Sequence, residues 1–124
     1  MSKLFEPFEA KGLTFKNRLI HVPTTLNLSD PQGYATRRLA AAYGSLAKGG
    51  YAATIVGATC VRRDGLINER MLGLYDEDYV IEFRDTVTEI KNNGSLAGIQ
   101  LFYGGLIPGL GTTVPLEAGK GRPG

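Results

Sequence analysis

The chain has 124 residues, 43% hydrophobic and 21% charged, with five Phe and six Tyr, a globular composition that excludes a disordered tail. Its 14 basic and 12 acidic residues give a formal charge of +2 without long blocks of one sign, so nothing electrostatic points to nucleic acid or an anionic membrane. The lone Cys60 excludes an internal disulfide and a cysteine-rich metal site, and it suits a reducing cytosol.

Met1-Ser2-Lys3-Leu4-Phe5-Glu6-Pro7 puts an acid and a proline where a secretory signal needs an unbroken apolar core. No apolar run approaches membrane-spanning length, so a cytoplasmic protein is expected. Residues 4–18 alternate apolar and polar side chains about Lys11-Gly12, the pattern of a short β-hairpin. Leu19, Ile20, His21 and Val22 form the first buried strand, stopped by Pro23. A polar loop with Ser29, Asp30, Pro31 and Gly33 leads to a helix over 35–48, with Leu39, Tyr43, Leu46 and Ala47 at helical spacing and Gly49-Gly50 as its stop.

A second strand is expected over 52–56, where Thr54, Ile55 and Val56 are β-branched. A charged loop containing Arg62, Arg63, Asp64 and Gly65 follows. Asp76, Glu77 and Asp78 suit the start of a second helix, with Val80, Phe83, Val87 and Ile90 along one face and Asn92-Asn93-Gly94 at its end. Residues 96–101 form the third strand. From Gly104 onward, seven glycines and three prolines in 21 residues predict a loop or disordered end. The order of hairpin, strand, helix, strand, helix, strand predicts an α/β fold built on right-handed parallel crossovers.

In parallel α/β folds, ligand-binding residues collect at the carboxyl ends of the strands, where the strand-to-helix loops converge. Three segments reach that position: Pro23-Thr24-Thr25, Gly57-Ala58-Thr59, and Gln100. They offer small side chains and neutral hydrogen-bonding groups, with no nucleophile-base pair and no metal cluster. Such a set suits a flat heteroaromatic ligand with donors and acceptors along one edge. His21, inside its strand, reads as a satisfied core histidine, and Cys60 as an inert, partly buried thiol. Arg62, Arg63 and Arg70 read as solvated loop residues, and Tyr103 as a packing or substrate-contacting residue at the rim. The glycines near 109–111 and 119–121 do not match a phosphate-binding P-loop.

Three phrases in order, LFEPFEAKGLTFKNRLIHVPTT, GGYAATIVGATCVRRDGLINERMLGLYDED and GSLAGIQLFYGG, resemble the opening of old yellow enzyme family flavoproteins over residues 3–106. The resemblance implies the N-terminal part of a (β/α)8 TIM barrel, with residues 1–103 as hairpin and first three barrel strands and 104–124 as a loop. A whole barrel typically needs about 250 residues, so the chain is expected to be an incomplete barrel, finished by its remainder or by another subunit.

The resemblance also implies a noncovalently bound FMN reduced by NADH or NADPH, with hydride passing from flavin N5 to an activated, electrophilic alkene. Carried over by position, the backbones of Pro23 and Thr24 and the backbone and hydroxyl of Thr25 contact the flavin near N5 and O4. Ala58 approaches the flavin edge, and the Gln100 carboxamide pairs with the imide edge, offering both donor and acceptor. Where the family has His and Arg after this glutamine, the chain has Tyr103 and Leu106; Val22 and Gly57 replace the more usual Ala and Glu. The family's proton donor and substrate anchors fall beyond residue 124, so no catalytic residue is expected within this chain. The competing expectation is a non-catalytic half-barrel stabilised as a homo-oligomer through its open strand edges.

Overall fold

The computed structural model describes residues 2–105, and the hairpin comes first. Strands β1 (Phe8–Ala10) and β2 (Leu13–Phe15) pair antiparallel around Lys11 and Gly12, whose φ values are +47° and +79°. Two consecutive positive φ values give a turn whose twist matches the strands, and glycine adopts that conformation without strain. Phe8 and Phe15 face each other across the pair with ring centroids 4.7 Å apart, and the Arg18 guanidinium lies 5.1 Å over Phe8.

The hairpin feeds β3 (Ile20–Thr24), followed by α1 (Arg37–Lys48), β4 (Ala53–Cys60), β5 (Leu72–Gly73), α2 (Glu77–Asn92) and β6 (Leu96–Phe102). Strand β4 is central, flanked by β3 and β6, all parallel. The short β5 pairs with Thr59 and Cys60, continuing along β4 past the point where β3 ends. Helix α1 begins where Thr36 Oγ1 accepts from the Leu39 amide at 3.1 Å. Helix α2 begins where Asp76 accepts from the Asp78 amide at 3.0 Å, with Glu77 and Asp78 in its positive first turn.

Both helices cover one face of the sheet. Leu39, Tyr43 and Ala47 of α1, Val56 of β4, Leu72 of β5 and Ile90 of α2 form one buried cluster. Removing Leu39, Val56, Leu72 and Ile90 from water contributes roughly 1.5–3 kcal/mol each. Among the described residues no helix covers the other face: Val22 is 65% exposed, and Ile20 is exposed as well. Along β6, Ile99 and Leu101 are also exposed.

The α/β class and element order match the sequence expectation, while several boundaries move. Pro23 does not stop the first strand; it lies inside β3 at a register shift between His21 and Thr24, where a missing N–H breaks no ladder bond. The second strand runs four residues further than 52–56, through Gly57-Ala58-Thr59-Cys60, because β5 and β6 supply partners there. In α2, Val80 is exposed, and Tyr79 and Thr86 join Ile90 on the buried side. The expected glycine-rich end lies, from residue 106, outside the described residues. No described helix is long and apolar enough to cross a membrane.

Candidate functional site

The sheet becomes irregular at one level, near the carboxyl ends of its three long strands. Strand β3 slips relative to β4 between His21 and Thr24. Strand β4 slips relative to β6 between Val56 and Thr59, so Gly57 and Ala58 stand opposite the single residue Gln100. Two residues facing one is the geometry of a β-bulge, which frees backbone groups from the ladder and re-aims neighbouring side chains. Both slips fall on segments singled out from the sequence.

Gly57 explains how closely the strands approach. An added Cβ would lie 2.1 Å from the carbonyl oxygen of Thr24 and 2.6 Å from the amide of Thr25, closer than any real contact. Only a residue without a side chain brings β4 this close to the end of β3. The gap is bridged from α1: the buried Tyr43 hydroxyl donates to Thr24 O at 2.8 Å and accepts from the Gly57 amide at 2.8 Å. Burial pushes the Tyr43 phenol above its ordinary value, so it stays neutral and able to donate.

Thr25 and Ala58 line one small cavity together with Tyr43, Gly57 and Leu39. The Thr24 hydroxyl donates to Val22 O at 3.3 Å, so this side chain is tied to its own strand. Gln100 sits across β4 from this cavity and does not line it. Gly98 pairs with Ile55, and an added Cβ would meet the Ile55 side chain at 3.2 Å, so both lie on one face. Strand alternation puts Gln100 on the same face as Gly98, the side away from the helices. Its carboxamide is exposed and makes no hydrogen bond among the described residues.

The rim beyond is more structured than its charged sequence suggests. Arg62 pairs with the buried carboxylate of Asp64 at 2.8 Å and lies 5.6 Å over the Tyr103 ring. Arg63 donates to the Tyr79 hydroxyl at 2.6 Å, and that hydroxyl donates to Gln32 O at 3.1 Å. Tyr79 stacks on Tyr34 with centroids 4.0 Å apart. Arg62 and Arg63 are exposed, as the solvated-arginine reading expects, and each is in addition tied to a carboxylate or to aromatic rings that periodicity did not reveal. Arg70 is exposed, reaching Ser29 O at 3.4 Å.

His21 also differs from expectation. It packs edge-on against Tyr43 and Tyr51, but its buried Nδ1 has no hydrogen-bond partner among the described residues, so there it is a packed histidine and not a satisfied one. Cys60 is fully buried instead of partly so, and its thiol donates to Arg62 O at 2.8 Å. Burial pushes that thiol above its usual range. Cys60 is accordingly expected to resist iodoacetamide in the folded protein and to react once urea unfolds it, as read by mass spectrometry; rapid alkylation without urea would contradict its placement.

Tyr75 supplies a pH signature. Burial, followed by the influence of Cys60, pushes its phenol up to about 12. The folded state thus holds this proton more tightly than the unfolded chain, whose phenol titrates near 10. The associated stability is complete below pH 10 and is lost as pH climbs toward about 12. Thermal melts should be flat up to pH 9 and fall above pH 10, and Tyr75→Phe should reduce that alkaline fall. An identical fall in the variant would assign it elsewhere.

Among the described residues, no group of three or more His, Cys, Asp or Glu side chains is placed to hold a metal ion. Comparison with known proteins gives concordant matches. The model of the NADH:flavin oxidoreductase / NADH oxidase family matches residues 3–108. An NADPH dehydrogenase of Listeria welshimeri is 36% identical over 113 residues, covering 88% of this chain and 33% of that protein. An NADPH dehydrogenase of Listeria monocytogenes is 33% identical over 130 residues, covering 99% of this chain and 38% of that protein. The chain thus spans little more than a third of the length of these relatives.

Among solved structures, the old yellow enzyme homologue of Zymomonas mobilis superposes with a TM-score of 0.77 at 23% identity, over 85% of this chain and 29% of that one. Old yellow enzyme from Pichia sp. AKU4542 gives 0.75 at 25% identity, over 82% and 26%. The hairpin and parallel β-α-β-α-β order are the opening part of the barrel in those folds. The chain belongs to the NADH:flavin oxidoreductase / NADH oxidase family, whose flavin is FMN and whose reductant is a reduced nicotinamide, and it carries the N-terminal portion of that family's barrel.

Proposed function

We propose that residues 1–103 supply one wall of an FMN site in an NAD(P)H-dependent, ene-reductase-like enzyme of the cytosol. When bound, FMN supplies hydride transfer at N5, between a reduced nicotinamide and an electron-poor alkene or related acceptor. The chain's own residues bind and orient. The backbones of Pro23 and Thr24 border the flavin. The Thr25 hydroxyl donates toward O4, where charge gathers on reduction. Ala58 permits close approach of the ring edge, and Gln100 pairs with the imide edge through its two-sided carboxamide.

The observation that carries this reading is the shared level of the two strand slips. They bring Thr24 level with Val56 and Gly57-Ala58 opposite Gln100 at the carboxyl ends of neighbouring parallel strands, with Thr25 and Ala58 on the helix side and Gln100 on the other face, so that a flavin meeting all three would lie across the strand ends. The fit to a flavin rests on three features: the close approach of the Gly57 and Thr24-Thr25 backbones, an exposed Gln100 whose carboxamide has no hydrogen-bond partner among the described residues, and a donor set that is neutral throughout. Substrate anchoring and protonation fall to the rest of the barrel.

Gln100→Leu is expected to leave the imide edge unpaired and weaken FMN binding by about 1 to 3 kcal/mol. That corresponds to roughly a five- to hundredfold rise in Kd by fluorescence titration. Unchanged affinity would remove Gln100 from the site.

A second reading is favoured by one observation, the helix-free face with Ile20 and Val22 exposed and the exposed Ile99 and Leu101 on β6. On this reading the chain is a colourless half-barrel that self-associates to cover those side chains. Intact mass, sedimentation and the visible spectrum of the purified protein separate the two. A yellow protein bleached by dithionite supports the flavoenzyme, and a stable colourless oligomer supports the alternative.

A further inference from the structure

We infer that Tyr43 is a positioning residue for the flavin wall: its hydroxyl holds the Thr24-Thr25 backbone at a fixed distance from Gly57-Ala58. This rests on the functional reading above and extends it to a side chain on the opposite side of the sheet from Gln100. Tyr43 is 1% exposed, and its ring belongs to the main hydrophobic cluster, which fixes where the hydroxyl points. That hydroxyl stands between β3 and β4, donating to Thr24 O and accepting from the Gly57 amide, both at 2.8 Å.

Elsewhere the two strands are joined by their own ladder, with Ile20 against Ala53 and His21 against Thr54. After the slip at Val22-Pro23 the ladder is irregular, and a phenol oxygen serves both chains at once. A phenol suits the place because it has one hydrogen to give and lone pairs to receive, matching one carbonyl and one amide. Each bridged group lies one residue before a proposed flavin contact, Thr25 just past β3 and Ala58 within β4. The bridge therefore sets the separation of two contacts without touching the ligand. His21 and Tyr51 pack beside Tyr43 in an edge-to-face chain that limits ring tilt.

The test uses the full chain with three proteins: unaltered, Tyr43→Phe, and Ile90→Ala. The last weakens the same core from α2 without reaching the bridge. Two readouts are taken well below each protein's melting temperature: FMN Kd by fluorescence titration, and exchange of the Gly57 amide by NMR. Tyr43→Phe keeps the ring and is expected to raise Kd at least tenfold and to speed Gly57 exchange at least tenfold. Ile90→Ala is expected to leave Kd within twofold of the unaltered protein. Equal Kd in the unaltered protein and Tyr43→Phe would overturn the inference, as would an equal rise in Ile90→Ala, which would mark a general loss of stability. If the unaltered chain takes up no FMN, the functional reading fails and the flavin role of Tyr43 with it. Gly57 exchange unchanged by Tyr43→Phe would overturn the bridge itself, with or without flavin.

Discussion

Gly57→Ala is expected to destabilise the fold by about 3 kcal/mol or more, a large effect for a single methyl group, because overpacking that backbone must absorb has no inexpensive relief. The added carbon would lie 2.1 Å from Thr24 O, 2.2 Å from Thr24 C and 2.6 Å from Thr25 N. All three atoms are main chain, so no rotamer change makes room, and β3 and β4 would have to part at the point where Tyr43 bridges them. A glutamate, the more usual residue here by resemblance, could enter only with the same separation. Gly98→Ala is the matched comparison: its nearest neighbour is the Ile55 side chain at 3.2 Å, which can shift, so a cost within about 1 kcal/mol is expected. Urea denaturation of both variants checks the contrast. Equal midpoints would show that the strand ends are not closely apposed.

The difference between those two glycines also marks what could be read from sequence. The alternation of 4–18, the helical spacing of Leu39, Tyr43 and Ala47, and the acidic start of α2 are local signals, and each gave the right element. Gly57 reads locally as a strand stop, because glycine is a poor strand former. The structure keeps it within β4 because β6 on one side, and β3 and then β5 on the other, supply hydrogen-bond partners that no local pattern announces. Strand β5 has two residues and no periodicity, so only the tertiary pairing reveals it. Val80 and Tyr79 show the same limit within a helix: hydropathy favours the valine, whereas burial goes to the tyrosine because its hydroxyl finds Arg63 and Gln32.

The site was legible as positions more than as geometry. Small and neutral residues at strand ends pointed to Thr25, Ala58 and Gln100 as candidates, and the register puts Gly57-Ala58 opposite Gln100 and Thr24 opposite Val56. Sequence could not separate Thr25 and Ala58, which line a cavity on the helix side, from Gln100, which rises from the helix-free face. It also gave no sign that Tyr43 bridges the ends of β3 and β4, since its helical spacing explains it fully as core. The available signal was a tyrosine where leucine would pack as well, given that a buried phenol usually has a hydrogen-bonding reason.

Tyr79→Ala is the second change expected to have a large effect, about 3 to 5 kcal/mol, because the side chain is 2% exposed and removing a buried aromatic leaves a cavity. Its position makes the consequence more than local. From the first turn of α2, Tyr79 stacks on Tyr34 at 4.0 Å, meets Tyr75 edge-on at 4.8 Å, and ties Arg63 to Gln32 through its hydroxyl. Three separate connections thus converge on one ring at the carboxyl-end rim of the sheet, where the flavin wall is proposed. Tyr79→Phe keeps the stack and loses only the hydroxyl, so a smaller cost of about 1 to 3 kcal/mol is expected. If the hydroxyl acts through Arg63, Arg63→Ala and Tyr79→Phe should be non-additive in a double-mutant cycle, with a coupling of at least about 0.5 kcal/mol. Strict additivity would reduce the Arg63 contact to a surface approach of no energetic weight. A cost for Tyr79→Ala below about 1 kcal/mol would mean that the loops collapse around the gap and that the tyrosine does not organise this rim.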